Sequence, residues 1–144
     1  MEPFVQVARV RETFLLEDAV KTPDAWIARA IRDAHTELER ALSPMALSAL
    51  DGGTIPEDLV AGEALLAGAR LYQAMAAVEA YGQRRVKGGS VAVAEGDRFA
   101  SLLRIASMAE ERAWTLLRPY MREAAVRPSL AASDSAPILG GGGL

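Results

Sequence analysis

The chain contains no cysteine. That excludes a disulfide framework, a thiolate metal site and a cysteine nucleophile, and it is compatible with a reducing compartment. Histidine is nearly absent too, His35 being the single one. A zinc or di-iron centre in a helical bundle draws several ligands, typically Glu-x-x-His pairs from two helices. A Ser–His–Asp triad would have to run through His35 alone, and no serine sits in a Gly-x-Ser-x-Gly elbow. Gly88-Gly89 and the run Gly140 to Gly143 are not followed by Lys-Ser/Thr and a helix, so neither matches a phosphate loop. Glu110 and Glu111 are adjacent, and adjacent helix residues do not face each other, which excludes an acid/base dyad. His35 is therefore expected to be a structural or surface residue, and no enzyme activity, cofactor or metal is expected.

Other absences bound the class further. The start, Met1-Glu2-Pro3-Phe4, has neither a basic n-region nor an apolar h-region, so no secretory signal is expected. No apolar run approaches the roughly 18 residues of a membrane span. A soluble protein, cytosolic where it is made, is the expectation. The balance of 16 basic against 19 acidic residues gives a formal charge of −3. This argues against a general nucleic-acid binder and leaves room for a local basic patch.

What is present is helical. Hydrophobic residues make up 51% of the 144 positions, with alanine dominant, and alanine lets helices approach closely. Phe4 to Leu16 is ambiguous: Phe4, Val5 and Val7 look extended, while Val10 and Phe14 share a helical face. A short first helix or turn is the reading. Thr22-Pro23-Asp24 has the form of a helix start, with threonine as N-cap, proline in the first turn and an acid facing the positive dipole end. From there Trp26, Ile27, Ala30, Ile31, Ala34, Leu38 and Leu42 repeat at helical spacing, and the helix should stop near Ser43-Pro44. Residues 45–54 read as a connection. Thr54-Ile-Pro56-Glu57-Asp58 opens a second, long, small-residue-rich helix to about Arg85, where Gly62 and Gly68 each cost about 1 kcal/mol against alanine. Close packing against another helix would account for them.

Lys87-Gly88-Gly89 predicts a stop, and Val91 and Val93 alternate with small residues like a short extended strand over 88–94. A last helix begins near Asp97. Phe99, Leu102, Leu103, Ala106, Ala109, Ala113, Leu116 and Leu117 form its main stripe, and Ile105, Met108 and Trp114 lie partly on a second face. An apolar second face points to a partner beyond the chain's own core. The expected core is Trp26, Ile27, Ile31, Leu38, Leu65, Tyr72, Phe99, Leu102, Leu103, Ala106 and Leu117. The fold class is thus mainly α: a compact bundle of three to four helices over 1–121, followed by an extended tail over 122–144. Pro128, Pro137 and the four glycines prevent that tail from folding by itself.

Three segments carry functional weight. Arg84, Arg85 and Lys87, with Arg98 nearby, form a basic cluster that either touches nucleic acid or an acidic surface, or complements the helix dipole. Ser90, Val91 and Val93 belong to a segment that either adds to a neighbour's strand or serves as a connector. Arg127, Ile138, Leu139 and Leu144 lie in the tail, which is either a disordered terminus or a segment threading along a partner.

The order of these elements is Thr-Pro-Asp, then Ile-x-x-Ala-Ile-x-x-Ala-x-x-Glu-Leu from Ile27 to Leu38. A glycine-rich break follows, then Ile55-Pro-Glu-Asp-Leu59 opening a long alanine-rich helix, Gly88-Gly89-Ser-Val-x-Val, and a final helix ending Leu116-Leu117-Arg-Pro-Tyr120. Over about residues 5–122 it resembles the head–tail connector (adaptor, or head-completion) proteins of tailed double-stranded DNA phages and related particles. The resemblance implies a structural virion protein located in the neck, present in the host cytoplasm during assembly. It would form a homo-oligomeric ring, commonly a dodecamer, between the portal protein and a tail or stopper protein, with extended loops and the C-terminal segment docking on neighbours. DNA would pass through the lumen without sequence-specific binding, and a wall that is not strongly basic suits a conduit. Two other readings come from the residues alone: a bacterial helical interaction module acting as regulator or scaffold, and a small DNA-binding protein using Arg84, Arg85 and Lys87.

Overall fold

The computed structural model describes residues 1–85 and 89–123, with side chains described for 1–82 and 98–123. Five α-helices and one 3₁₀ turn occur among them: α1 (Val7–Phe14), α2 (Asp24–Ala41), α3 (Pro44–Leu50), α4 (Glu57–Arg85), α5 (Gly89–Leu117) and the turn Arg118–Tyr120. No strand is formed by the described residues; an isolated bridge joins Leu42 to Met121. The mainly α class is as expected. The bundle holds five helices instead of three or four, because Pro44–Leu50 is a helix where a connection was expected. The cause is local: the Ser43 hydroxyl accepts the Ala46 N–H at 3.1 Å, and Pro44 takes the first helical position. Pro44 therefore does more than end α2.

The extended segment expected over 88–94 is also corrected. From Gly89 onward the backbone is helical, so Ser90, Val91 and Val93 lie in the first turns of α5, and that helix starts eight residues before Asp97. Period-2 alternation of valine with alanine is a weak strand signal, because alanine suits a helix at least as well.

Two helices of 29 residues each dominate the molecule. They run antiparallel: Leu117 lies over Gly62, Glu110 bonds Arg70, and Arg98 pairs with Glu79 at 2.8 Å. Small residues permit this approach. A Cβ built on Gly62 would stand 2.6 Å from the Leu117 side chain, and one on Gly68 would fall on the Phe14 ring of α1. The expectation that these glycines mark close helix packing holds on both counts.

α4 is the central helix, its stretch from Leu59 to Leu71 almost continuously buried by α1, α2 and α5. The largest enclosed side chains are Ile27, Leu38 and Leu42 with α2, Leu59, Leu66 and Leu71 on α4, Leu117 on α5 and Val10 on α1. Each contributes about 1.5–3 kcal/mol through removal from water. Of the expected core, Ile27, Ile31, Leu38, Leu102, Ala106 and Leu117 are buried. Leu65, Tyr72 and Phe99 are partly so. Trp26 and Leu103 are exposed, at 45% and 40%.

The ends of the body are tied down by backbone groups. After α1, Leu15 adopts the left-handed conformation (φ 55°), and the Leu16 N–H returns to the Arg11 carbonyl at 2.9 Å. The Arg11 guanidinium then bridges the loop, donating to the carbonyls of Leu16 (2.9 Å) and Thr22 (2.7 Å) and to Asp24. Thr22 is buried and its side chain caps nothing, contrary to the N-cap expectation; Pro23 stands at the helix boundary instead. At the other terminus Ser43 N–H donates to the Tyr120 carbonyl, and Arg122 N–H to that of Ala41 at 2.8 Å. The body's contacts thus run through Arg122. No helix among the described residues is long and apolar enough to cross a membrane.

Candidate interaction surface

α2 is shorter than α4, and that difference in length creates the most open apolar feature. α2 begins at Asp24, whereas the α4 face that it covers continues as Leu71, Ala74, Ala77 and Val78. A groove of about 430 Å³ results, lined by Trp26, Arg29, Ala30, Asp33, Arg70, Leu71, Ala74, Ala77 and Val78. Trp26 and Val78 flank it, half exposed or more, and Tyr81 is exposed one turn further along α4. Arg29 and Asp33 are exposed and form no ion pair among the described residues.

The floor of the groove is held by a charged junction. Arg70 on α4 makes a fork with Glu37 of α2 (2.7 and 2.8 Å) and reaches Glu110 of α5 at 3.0 Å. One guanidinium thereby ties three helices, and Trp114 Nε1 donates to the same Glu110 at 3.4 Å. Burial by itself would lower the Arg70 pKa; the hydrogen bonds from Glu110 and Glu37 outweigh it and raise the guanidinium above its ordinary value.

A second cluster lies deeper. Glu63 on α4 is fully buried, and its carboxylate meets His35 Nδ1 at 2.5 Å and accepts the Val5 N–H at 2.8 Å. His35 Nε2 lies 3.1 Å from the Met1 carbonyl, and the Phe4 ring packs edge-on against the imidazole. A carbonyl cannot donate, so Nε2 carries a proton, and a further proton sits between Nδ1 and the carboxylate. Burial pushes the Glu63 carboxyl above its ordinary 4.5, opposed by its hydrogen bonds to His35 and to the Val5 and Phe4 amides. The arrangement fastens residues 1–5 across α2 and α4, so His35 is structural as expected. Among the described residues no three or more His, Cys, Asp or Glu side chains gather as they would around a metal ion.

α5 exposes apolar side chains on its far flank. At 3.6 residues per turn, Ile105 and Met108 point roughly 150° away from Glu110, hence away from α2 and the groove. Ile105 is 40% and Met108 65% exposed. This is the second apolar face expected for the helix. Arg104, Glu111 and Arg112 flank it, exposed and without ion pairs among the described residues.

The interface residues singled out from sequence are placed as follows. Arg84 and Arg85 form the last turn of α4, and Ser90, Val91 and Val93 the first turns of α5, so the backbone brings these two groups to the same end of the hairpin. Lys87 lies outside the described residues, as do Arg127, Ile138, Leu139 and Leu144. Sequence reasoning missed Glu63, Arg70 and the exposure of Trp26. Glu63 carried a signal: with Leu59 and Leu66 it stands at helical spacing on the buried stripe, where a lone acid demands a buried partner. Comparison of the chain with models of protein families, with curated proteins and with solved structures gives no match.

Proposed function

We propose that this chain is a structural virion protein, a head–tail adaptor whose copies form a ring between a portal protein and a tail or stopper protein. The observation that carries the reading is the α4–α5 hairpin, which extends past the start of α2 and leaves apolar side chains open on both flanks. Trp26 and Val78 stand on one side, Ile105 and Met108 on the other. A ring subunit needs two contact faces, one for each neighbour. Isolated exposed apolar residues need no explanation, whereas two patches on opposite sides of one rigid element favour assembly. The resemblance in order of elements supplies the kind of assembly, placing the protein in the particle neck, with DNA passing through the lumen unread.

The end of the hairpin that bears Arg84 and Arg85 is the part proposed to reach a neighbouring protein. The experiment is co-elution of the full chain with the portal protein encoded in the same genome. A stoichiometric complex in size-exclusion chromatography, lost on Arg84→Glu/Arg85→Glu substitution, is expected. A chain that never binds the portal and persists as a dimer would refute the adaptor reading in favour of a regulator or scaffold.

A further inference from the structure

We propose that copies of this chain associate head to tail, the Ile105–Met108 face of α5 in one copy seating in the α2–α4 groove beside Trp26 and Val78 of the next. The inference deepens the adaptor reading by naming the two surfaces, and it rests on that reading only for closure of the series into a ring.

Three observations select a second copy as the occupant. The first is shape. The groove is a concavity of about 430 Å³ at the end of α2, and its lining is chiefly apolar. Met108 is the most exposed apolar side chain on α5, at 65%, and its flexible thioether adapts to an irregular recess. The second is charge. The groove offers Arg29 and Asp33, both exposed and both without an ion pair among the described residues. The α5 flank offers Arg104, Arg112 and Glu111 in the same condition. Each surface carries both signs, so Asp33 can meet an arginine and Arg29 can meet Glu111, which sets register and disfavours like-on-like contact.

The third observation is direction. The groove opens on the side of the hairpin where Arg70 binds Glu37 and Glu110, and Met108 points to the opposite side. A two-fold dimer buries the same patch on both partners and would leave one surface of each copy open. A heterologous contact uses both, and each added copy presents a fresh groove and a fresh flank.

The absence of cysteine makes the test direct. Val78→Cys and Met108→Cys change exposed side chains, at 59% and 65% exposure, so both variants should fold. Each full-length variant is oxidised alone and as an equimolar mixture, and the products are separated on a non-reducing gel. The expected result is a mixed disulfide several-fold in excess of either homodisulfide, and a ladder from the double variant. Asp33→Arg in the Val78→Cys copy should lower the mixed product several-fold, and Arg112→Glu in the Met108→Cys copy should restore it. A Val78→Cys homodisulfide that dominates would establish a two-fold contact through the groove and overturn the proposal, as would no cross-linking at any concentration. The two readings fail separately. A ladder that never closes supports these surfaces and removes the ring. A closed ring by mass without the mixed disulfide overturns the surfaces and leaves the adaptor standing.

Discussion

Glu63→Gln is predicted to be nearly silent at neutral pH, while Glu63→Ala is severe. The Glu63 carboxylate receives the Val5 N–H and shares a proton with His35 Nδ1, all inside the core. Glutamine reproduces both contacts: its carbonyl accepts from Val5, and its amide donates to Nδ1 of an imidazole protonated on Nε2. Volume is kept as well, so a change within about 1 kcal/mol is expected. Alanine removes both partners and leaves a buried amide N–H and a buried imidazole nitrogen unsatisfied, at about 1–3 kcal/mol each before any cavity is counted. Together these place Glu63→Ala at about 3–5 kcal/mol, the range for a broken buried pair.

The pH dependence separates the two chemistries further. Burial raises the folded-state value of Glu63 above 4.5. Above pH 4.5 the folded state therefore holds a proton that the unfolded carboxyl has released, and the group's contribution falls as pH rises through the folded value. Below the unfolded value it is fully present. Glutamine has no such proton. Urea denaturation of wild type and Glu63→Gln across a pH series from 4 to 9 should show the wild type losing stability relative to the variant as pH increases. Parallel profiles, or a Glu63→Gln protein as unstable as Glu63→Ala, would refute this account of the cluster.

Other perturbations follow from packing and from the charged junction. Gly68→Ala drives a methyl into the Phe14 ring and should cost about 1–3 kcal/mol by urea midpoint. Gly82→Ala, where an added Cβ meets nothing within 4 Å, should stabilise α4 by up to about 1 kcal/mol in the same assay. Arg70→Lys cannot hold Glu37 bidentately while reaching Glu110, and a loss of about 1.5–3 kcal/mol in thermal or chemical denaturation is expected. Ser43→Ala removes the cap of α3 and should lower stability by about 1 kcal/mol, with faster amide exchange at Ala46 as the local signature.

The long helices were legible because their signals were redundant. Pro-acid starts at Asp24 and Glu57, apolar residues at helical spacing and small residues at contact points all agreed. Gly62 and Gly68 were read correctly as close-approach sites, since a costly residue in a helix interior implies compensation. The stretch over 88–94 was misread because glycine followed by valine–alanine alternation matches a stop and a strand locally, and only pairing with α4 decides for a helix. Trp26 was taken into the core because periodicity gives the face of a helix and not where its cover ends. It lies on the inward stripe of α2, but at the end of the helix, where α4 continues and nothing else packs. Glu63 and Arg70 needed partners from other helices, Val5 and His35 in one case, Glu37 and Glu110 in the other. Spacing within a single helix does not reveal such partners.

The central claim is that these exposed flanks serve assembly into a ring. Native mass spectrometry of the full-length chain over rising concentration tests it most directly. The account predicts that one closed stoichiometry well above two dominates, with no open series of larger species beyond it. A monomer or dimer that persists throughout, alone and with the portal present, would contradict it.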